Sequence, residues 1–264
     1  MVTKFFRHVV ALGLATFIIV GGLSGSKAYG DIVSGNFTIS LQDLMDSSGT
    51  ILQVGDKLFS NFDASSYAFG LGATPVPLSS IMLSPLTETG PLGHTEYGLQ
   101  FAIVFGNTVY GGQGKDIVLE FDVTTTFGDN RIVDDYLSFS GGAEGGGHIN
   151  ISETVTDENG ADVPAIPDGN ASLYVFQDSK QVKLTDIALF APQDWIHINK
   201  DINWYAENTC PPTSAPCYDR AFISHFEQLF SQQPPRDIPE PTSMILLGLG
   251  LAGLGVARRK RVAK

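Results

Sequence analysis

Ile117-Val-Leu-Glu-Phe-Asp-Val-Thr-Thr-Thr-Phe127 decides the fold of this chain. Ile117, Leu119, Phe121, Val123 and Phe127 fall on one side of an extended backbone and Glu120, Asp122, Thr124 and Thr126 on the other, the period-two pattern of a half-buried strand. The same alternation recurs outward from this segment. Tyr97 to Phe105 carries Tyr, Leu, Phe, Ile and Phe at its odd positions, His148 to Thr156 turns Ile149, Ile151 and Val155 inward, and Ile32 to Leu41 does the same with Phe37, Ile39 and Leu41. Further strands are predicted over Val76 to Leu83, Ile132 to Ser140, Ser172 to Gln177, Gln181 to Phe190 and Trp195 to Trp204, and Lys115-Asp116-Ile117 and Lys200-Asp201-Ile202 read as strand openings. Gly, Pro, Asn and Asp punctuate them at Gly111 to Gly114, at Gly141 to Gly147, read as a flexible hairpin loop, and at Asp157 to Asn170. Half-polar alternating strands with no long helical pattern between them predict an all-β fold, an antiparallel two-sheet β-sandwich of jelly-roll or Ig-like kind. One segment is ambiguous: Phe222, Ile223, Phe226, Leu229 and Phe230 match helical spacing, yet Phe222, Phe226 and Phe230 also share a strand face, and a final strand is favoured.

Both ends differ from this middle. Residues 1–30 have the layout of a secretory signal peptide: Lys4 and Arg7, an apolar run from Val9 to Leu23, then small residues to Gly30, with Ser26 and Ala28 fitting a cleavage site. At the other end, within residues 238–264, Pro239-Glu240-Pro241 precedes an uncharged run from Thr242 to Ala257 and the basic cluster Arg258, Arg259, Lys260 and Arg261. As a helix that run is roughly 24 Å long at ~1.5 Å per residue. It is a marginal span of a ~30 Å hydrocarbon core, with the basic end held in the cytoplasm.

This ending resembles the PEP-CTERM sorting signal of bacterial exported proteins, in which a Pro-Glu-Pro motif (here Pro239, Glu240, Pro241), a hydrophobic helix (242–257) and an Arg-rich tail (258–264) are recognised by a membrane protease, exosortase. The resemblance implies a Gram-negative, exopolysaccharide-making host, export through the Sec machinery, a transient stay in the inner membrane, and release to the cell surface or extracellular matrix. It covers about a tenth of the chain. The remaining 207 residues, 31–237, suffice for one domain with its own core.

Charge narrows the partners. Of 16 Lys and Arg, three lie in the signal segment and five in the tail, leaving eight against all 28 Asp and Glu and a net charge of −20 between them. Such a surface repels nucleic acid and anionic polysaccharide and attracts divalent cations.

Catalytic patterns are sparse. His94-Thr-Glu96, with His148, His197 or His225 as a third ligand, matches no metal signature, no Gly-x-Ser-x-Gly elbow occurs, and Glu96, Glu120 and Glu153 are the acids from which a paired-carboxylate glycosidase would be built. Gly141 to Gly147 lacks the Lys-Ser/Thr of a phosphate loop. Asp157, Asn159 and Asp162, with Asp168 and Asn170, cluster oxygen ligands for Ca²⁺, though off the EF-hand spacing, so a solvated acidic turn is favoured and no other cofactor is expected. Cys210 and Cys217, with six residues between them in a Pro-rich loop, are expected to form a local disulfide in an oxidising compartment. The expectation is a non-enzymatic exported protein of structural or adhesive role in the matrix. Its first alternative is a carbohydrate-binding module with Trp195, Trp204 or Tyr205 arrayed on one face, and its second a secreted hydrolase.

Overall fold

The computed structural model describes residues 31–91, 93–126, 131–167, 169–209 and 219–233. The signal segment, Asp168, Cys210, Cys217 and the whole sorting signal, including Pro239, Glu240, Pro241 and Arg258 to Arg261, lie outside them. Among the described residues no helix is long and apolar enough to cross a membrane.

In chain order the strands are β1 (Ile32–Ser34), β2 (Ile39–Ser40), β3 (Ile51–Val54), β4 (Lys57–Phe69), β5 (Ile81–Thr89), β6 (Thr95–Ile103), β7 (Thr108–Tyr110) and β8 (Gly114–Thr125). They continue as β9 (Arg131–Glu144), β10 (Gly147–Thr156), β11 (Ser172–Gln177), β12 (Val182–Lys183), β13 (Thr185–Gln193), β14 (Trp195–Ala206), β15 (Arg220–Phe230) and β16 (Gln232–Gln233). The first sheet runs β1-β3-β4-β8-β14-β10-β11-β12 and the second β13-β9-β15-β6-β5-β2, with β7 and β16 pairing onto β15 and β9. Every ladder is antiparallel except the short β1–β3 pair. The expected mostly β, two-sheet, sandwich-like architecture is what forms.

Aromatic rings fill the space between the sheets. Phe101 on β6 stacks on Phe226 of β15 at 4.6 Å, and contacts across the sandwich join Phe101 to Phe121 of β8 and Phe59 of β4 to Phe230, both at 6.0 Å. Phe222 to Phe230 is a strand, as favoured, because β15 lies between β9 and β6 and its N–H and C=O groups are used on both sides.

Several boundaries differ from the sequence reading. Ile32 to Leu41 is not one strand: Leu41 opens a short helix, α1 (Leu41–Asp46), whose N-cap Ser40 accepts from the Asp43 N–H at 3.1 Å and donates to its carboxylate at 2.7 Å. Val76 to Leu83 is not one strand: Pro75 and Pro77 cannot donate to a ladder, Leu78–Ser80 is a turn of 3-10 helix, and β5 starts only at Ile81 and runs to Thr89. Gln181 to Phe190 is two strands, β12 in the first sheet and β13 in the second. Lys200 does not open a strand; it sits mid-way along β14, paired with Glu153 and Leu119. The glycine run is strand to Glu144 and again from Gly147, not a flexible loop, since β15 crosses it closely: a Cβ on Gly141 would come 2.4 Å from the Phe222 carbonyl oxygen.

Candidate functional site

Alternation along β14 buries Ile196, Ile198, Lys200, Ile202 and Trp204 and turns Trp195, His197, Asn199, Asp201, Asn203 and Tyr205 to the outer face of the first sheet. Antiparallel register then aligns outward side chains from neighbouring strands into rows. One row runs Phe176–Asn150–Asn203–Asp116–Tyr67 across β11, β10, β14, β8 and β4. The row beside it runs His148–Tyr205–Gly114–Phe69. Gly114 is what lets Phe69 lie down: its missing Cβ would stand 1.9 Å from Phe69 Cζ.

The two rows frame a shallow cavity of ≈ 170 Å³ lined by His148, Tyr205, Asn150, Asn203, Tyr174 and Phe176. Its aromatic walls are fixed in pairs, His148 on Tyr205 at 4.6 Å and Tyr174 against Phe176 at 5.4 Å. Among its lining residues, Asn150 Oδ1 and Gln177 Oε1 have no hydrogen-bond partner among the described residues, and neither does Asp116 Oδ1, which lies outside the cavity further along the first row. Burial, then the adjacent Asp201 carboxylate, pushes the Asp116 carboxyl above the usual range. Further along, Asn61, held at φ +54°, donates to Asp122 Oδ2 at 2.6 Å; Asp122 Oδ1 lies 2.8 Å from His197 Nδ1, and His197 stacks on Trp195. The face is therefore polar and aromatic rather than greasy, with rings held by neighbours instead of free to rotate.

A second concentration of polar chemistry lies inside the sandwich. Lys200 and Glu153 of the first sheet meet Gln228 and Asp135 of the second, none more than 2 % exposed. Lys200 Nζ donates to Glu153 Oε2 and, at 2.5 Å, to Gln228 Oε1, while Gln228 Nε2 donates to Asp135 Oδ1 and, at 2.9 Å, to Glu153 Oε1. Nearby, Glu96 on β6 is fully buried with both carboxylate oxygens unpartnered, and burial, then Asp134, Asp135 and Glu88, raises it to about 7. Three of the eight cations of the middle segment, Lys57, Lys115 and Lys200, are buried, but so are seven acids, Asp56, Glu96, Asp122, Asp134, Asp135, Glu153 and Asp219, so the surface stays acidic but less so than the sequence count implies.

The residues singled out in sequence scatter. Trp204 is fully buried and packs in the core, leaving Trp195 and Tyr205 on the outer face. Glu120 lies on that face, Glu153 inside the sandwich and Glu96 on the other sheet, so these three acids share no cleft. His94 precedes β6 and is exposed where Glu96 is buried; His148 and His197 lie on the first sheet and His225 on the second. Asp157 caps its own turn, its Oδ1 accepting from the Asn159 and Ala161 N–H groups, which hold its carboxyl below the usual range, and Asp162 accepts from Asn170 at 2.6 Å. Among the described residues no three His, Cys, Asp or Glu are grouped to hold a metal ion. Sequence reasoning missed Tyr67, Phe69, Asn150, Tyr174 and Phe176; the outward parity of β4, β10 and β11 was the signal that would have found them.

Comparison with known proteins adds one firm result: residues 237–261 match the profile of the PEP-CTERM protein-sorting motif, so the chain carries that motif and is marked for export and sorting at a membrane. No curated protein matches the chain. Among solved structures it is similar to the carbohydrate-binding module TmCBM61, solved in complex with β-1,4-galactotriose, at 12 % identity and a TM-score of 0.26, covering 63 % of this chain and 88 % of that one. A likeness this slight carries no argument about ligand.

Proposed function

We propose that this is a PEP-CTERM protein, exported by a cleaved signal peptide, released by exosortase near Pro239-Glu240-Pro241 and retained at the cell surface or in the extracellular matrix, where it adheres without catalysis to a neutral polysaccharide through the outer face of its first sheet. The finer sandwich type, jelly-roll or Ig-like, is part of this proposal, as is the Cys210–Cys217 disulfide.

The observation that carries the reading is the five-strand row Phe176–Asn150–Asn203–Asp116–Tyr67, with the aromatic pairs His148–Tyr205 and Tyr174–Phe176 beside it and its unpartnered acceptors. Sugar rings present apolar faces that stack on aromatic rings and a rim of hydroxyls that donate to amide and carboxylate oxygens. Unpartnered acceptors in a half-open cavity want donors, which a neutral glycan supplies in number. The acidic surface excludes an anionic polymer. A glycan array probed with the purified chain, followed by calorimetry, tests this: neutral oligosaccharides should bind, and Tyr174→Ala should weaken them roughly tenfold, about 1.4 kcal/mol. Binding only to anionic glycans, or equal binding by the variant, would remove the assignment.

A further inference from the structure

We propose that Lys200 and Gln228 react with each other to form an intramolecular isopeptide bond, tying β14 of one sheet to β15 of the other, with Glu153 as the acid–base catalyst. This rests on the buried cluster alone and is independent of the glycan reading.

The cluster brings together the groups an acyl transfer needs. The Lys200 amine lies against the Gln228 carbonyl oxygen at 2.5 Å, and one carboxylate, Glu153, touches both the attacking nitrogen through Oε2 and the departing one through Oε1, the latter at 2.9 Å. Asp135 holds the Gln228 amide from its other side. Phe226 closes the site, its ring 5.7 Å from Lys200 Nζ. With Lys200 and Gln228 at 0 % exposure, water does not compete for the acyl carbon.

Burial tunes the nucleophile. An amine attacks only when uncharged, and desolvation lowers Lys200 to about 7, against the opposing pull of Asp135. Glu153 Oε2 takes a proton from Lys200 Nζ as Nζ bonds to Gln228 Cδ. The Cδ–Nε2 bond then breaks as that proton is returned from Glu153 to Nε2, which leaves as ammonia. The product is a secondary amide between Lys200 and Gln228, with Glu153 again a carboxylate. One amide replaces another and ammonia escapes to solvent, so no oxidant, cofactor or activated donor is needed. The cross-link also removes a buried cation whose desolvation an ion pair offsets poorly.

The test is the intact mass of the purified full chain. It should fall short of the mass calculated for the same polypeptide by one ammonia, and proteolysis should yield a branched peptide joining the segments that contain Lys200 and Gln228. Folded Glu153→Gln protein should recover the full mass. An unshortened mass, or unbranched peptides containing free Lys200 and Gln228, would overturn the proposal whether or not the variant folds. Loss of one water, with a branch to Glu153, would overturn the assignment to Gln228.

Discussion

A methyl group at Gly98 would stand 1.7 Å from the carbonyl oxygen of Gln228, because β6 pairs with β15 beside the residue that bridges the two sheets. Backbone, not a flexible side-chain tip, is what it would strike. Gly98→Ala should therefore destabilise the domain by at least the ~1–3 kcal/mol of an overpacked core and displace Gln228 from Lys200. Denaturant unfolding measures the first effect and the intact mass of the same variant the second.

Stability should fall as pH rises from about 4.5 to about 7. Glu96, raised from 4.5 to about 7, keeps a proton in the folded state that the unfolded chain releases in this window, and Asp135, raised from 3.8 to about 7, does the same from a slightly lower pH. The folded state then binds more protons than the unfolded one, so the slope is negative, and above pH 7 this contribution is flat. Glu96 alone accounts for on the order of 3 kcal/mol. Thermal melts of wild type and Glu96→Gln across the window check this; an unchanged slope in the variant would place the titration elsewhere.

A glycan laid across the strands would meet Phe176 and Tyr67 at the two ends of its row, four strand spacings or ~19 Å apart. Tyr67→Ala should therefore weaken long oligosaccharides and leave the shortest binders unaffected, whereas Phe176→Ala should weaken both. Calorimetry over a length series separates this from a ligand running along the strands, for which Tyr67→Ala would be silent.

Removal of the sorting signal is visible by mass. Protein recovered from the exterior of its host should end at or before about Thr242 if exosortase cuts near Pro239-Glu240-Pro241 as proposed. A C-terminus at Lys264 would leave only a membrane anchor.

What was legible in the sequence followed from local chemistry. Strands such as Ile117 to Thr125 announce themselves because one face is buried and one is wet, so apolar and polar residues alternate. Strand β4 was missed because a bulge between Ser60 and Asp63, with Asn61 at positive φ, resets its period midway. Helix α1 had its signal in Ser40 and Asp43, spaced as an N-cap and its acidic partner, but lay inside an alternating pattern.

The sequence by itself determined the sorting motif, the acidic charge and the β class, because each is a property of contiguous residues: an ordered motif, a count, a period. Only the tertiary structure decided that Asp116, Asn203, Asn150 and Phe176 form one row, and that Lys200, Glu153, Gln228 and Asp135 meet in the core. Those groupings depend on which strands become neighbours and in what register, and a one-residue slip would send every side chain to the opposite face.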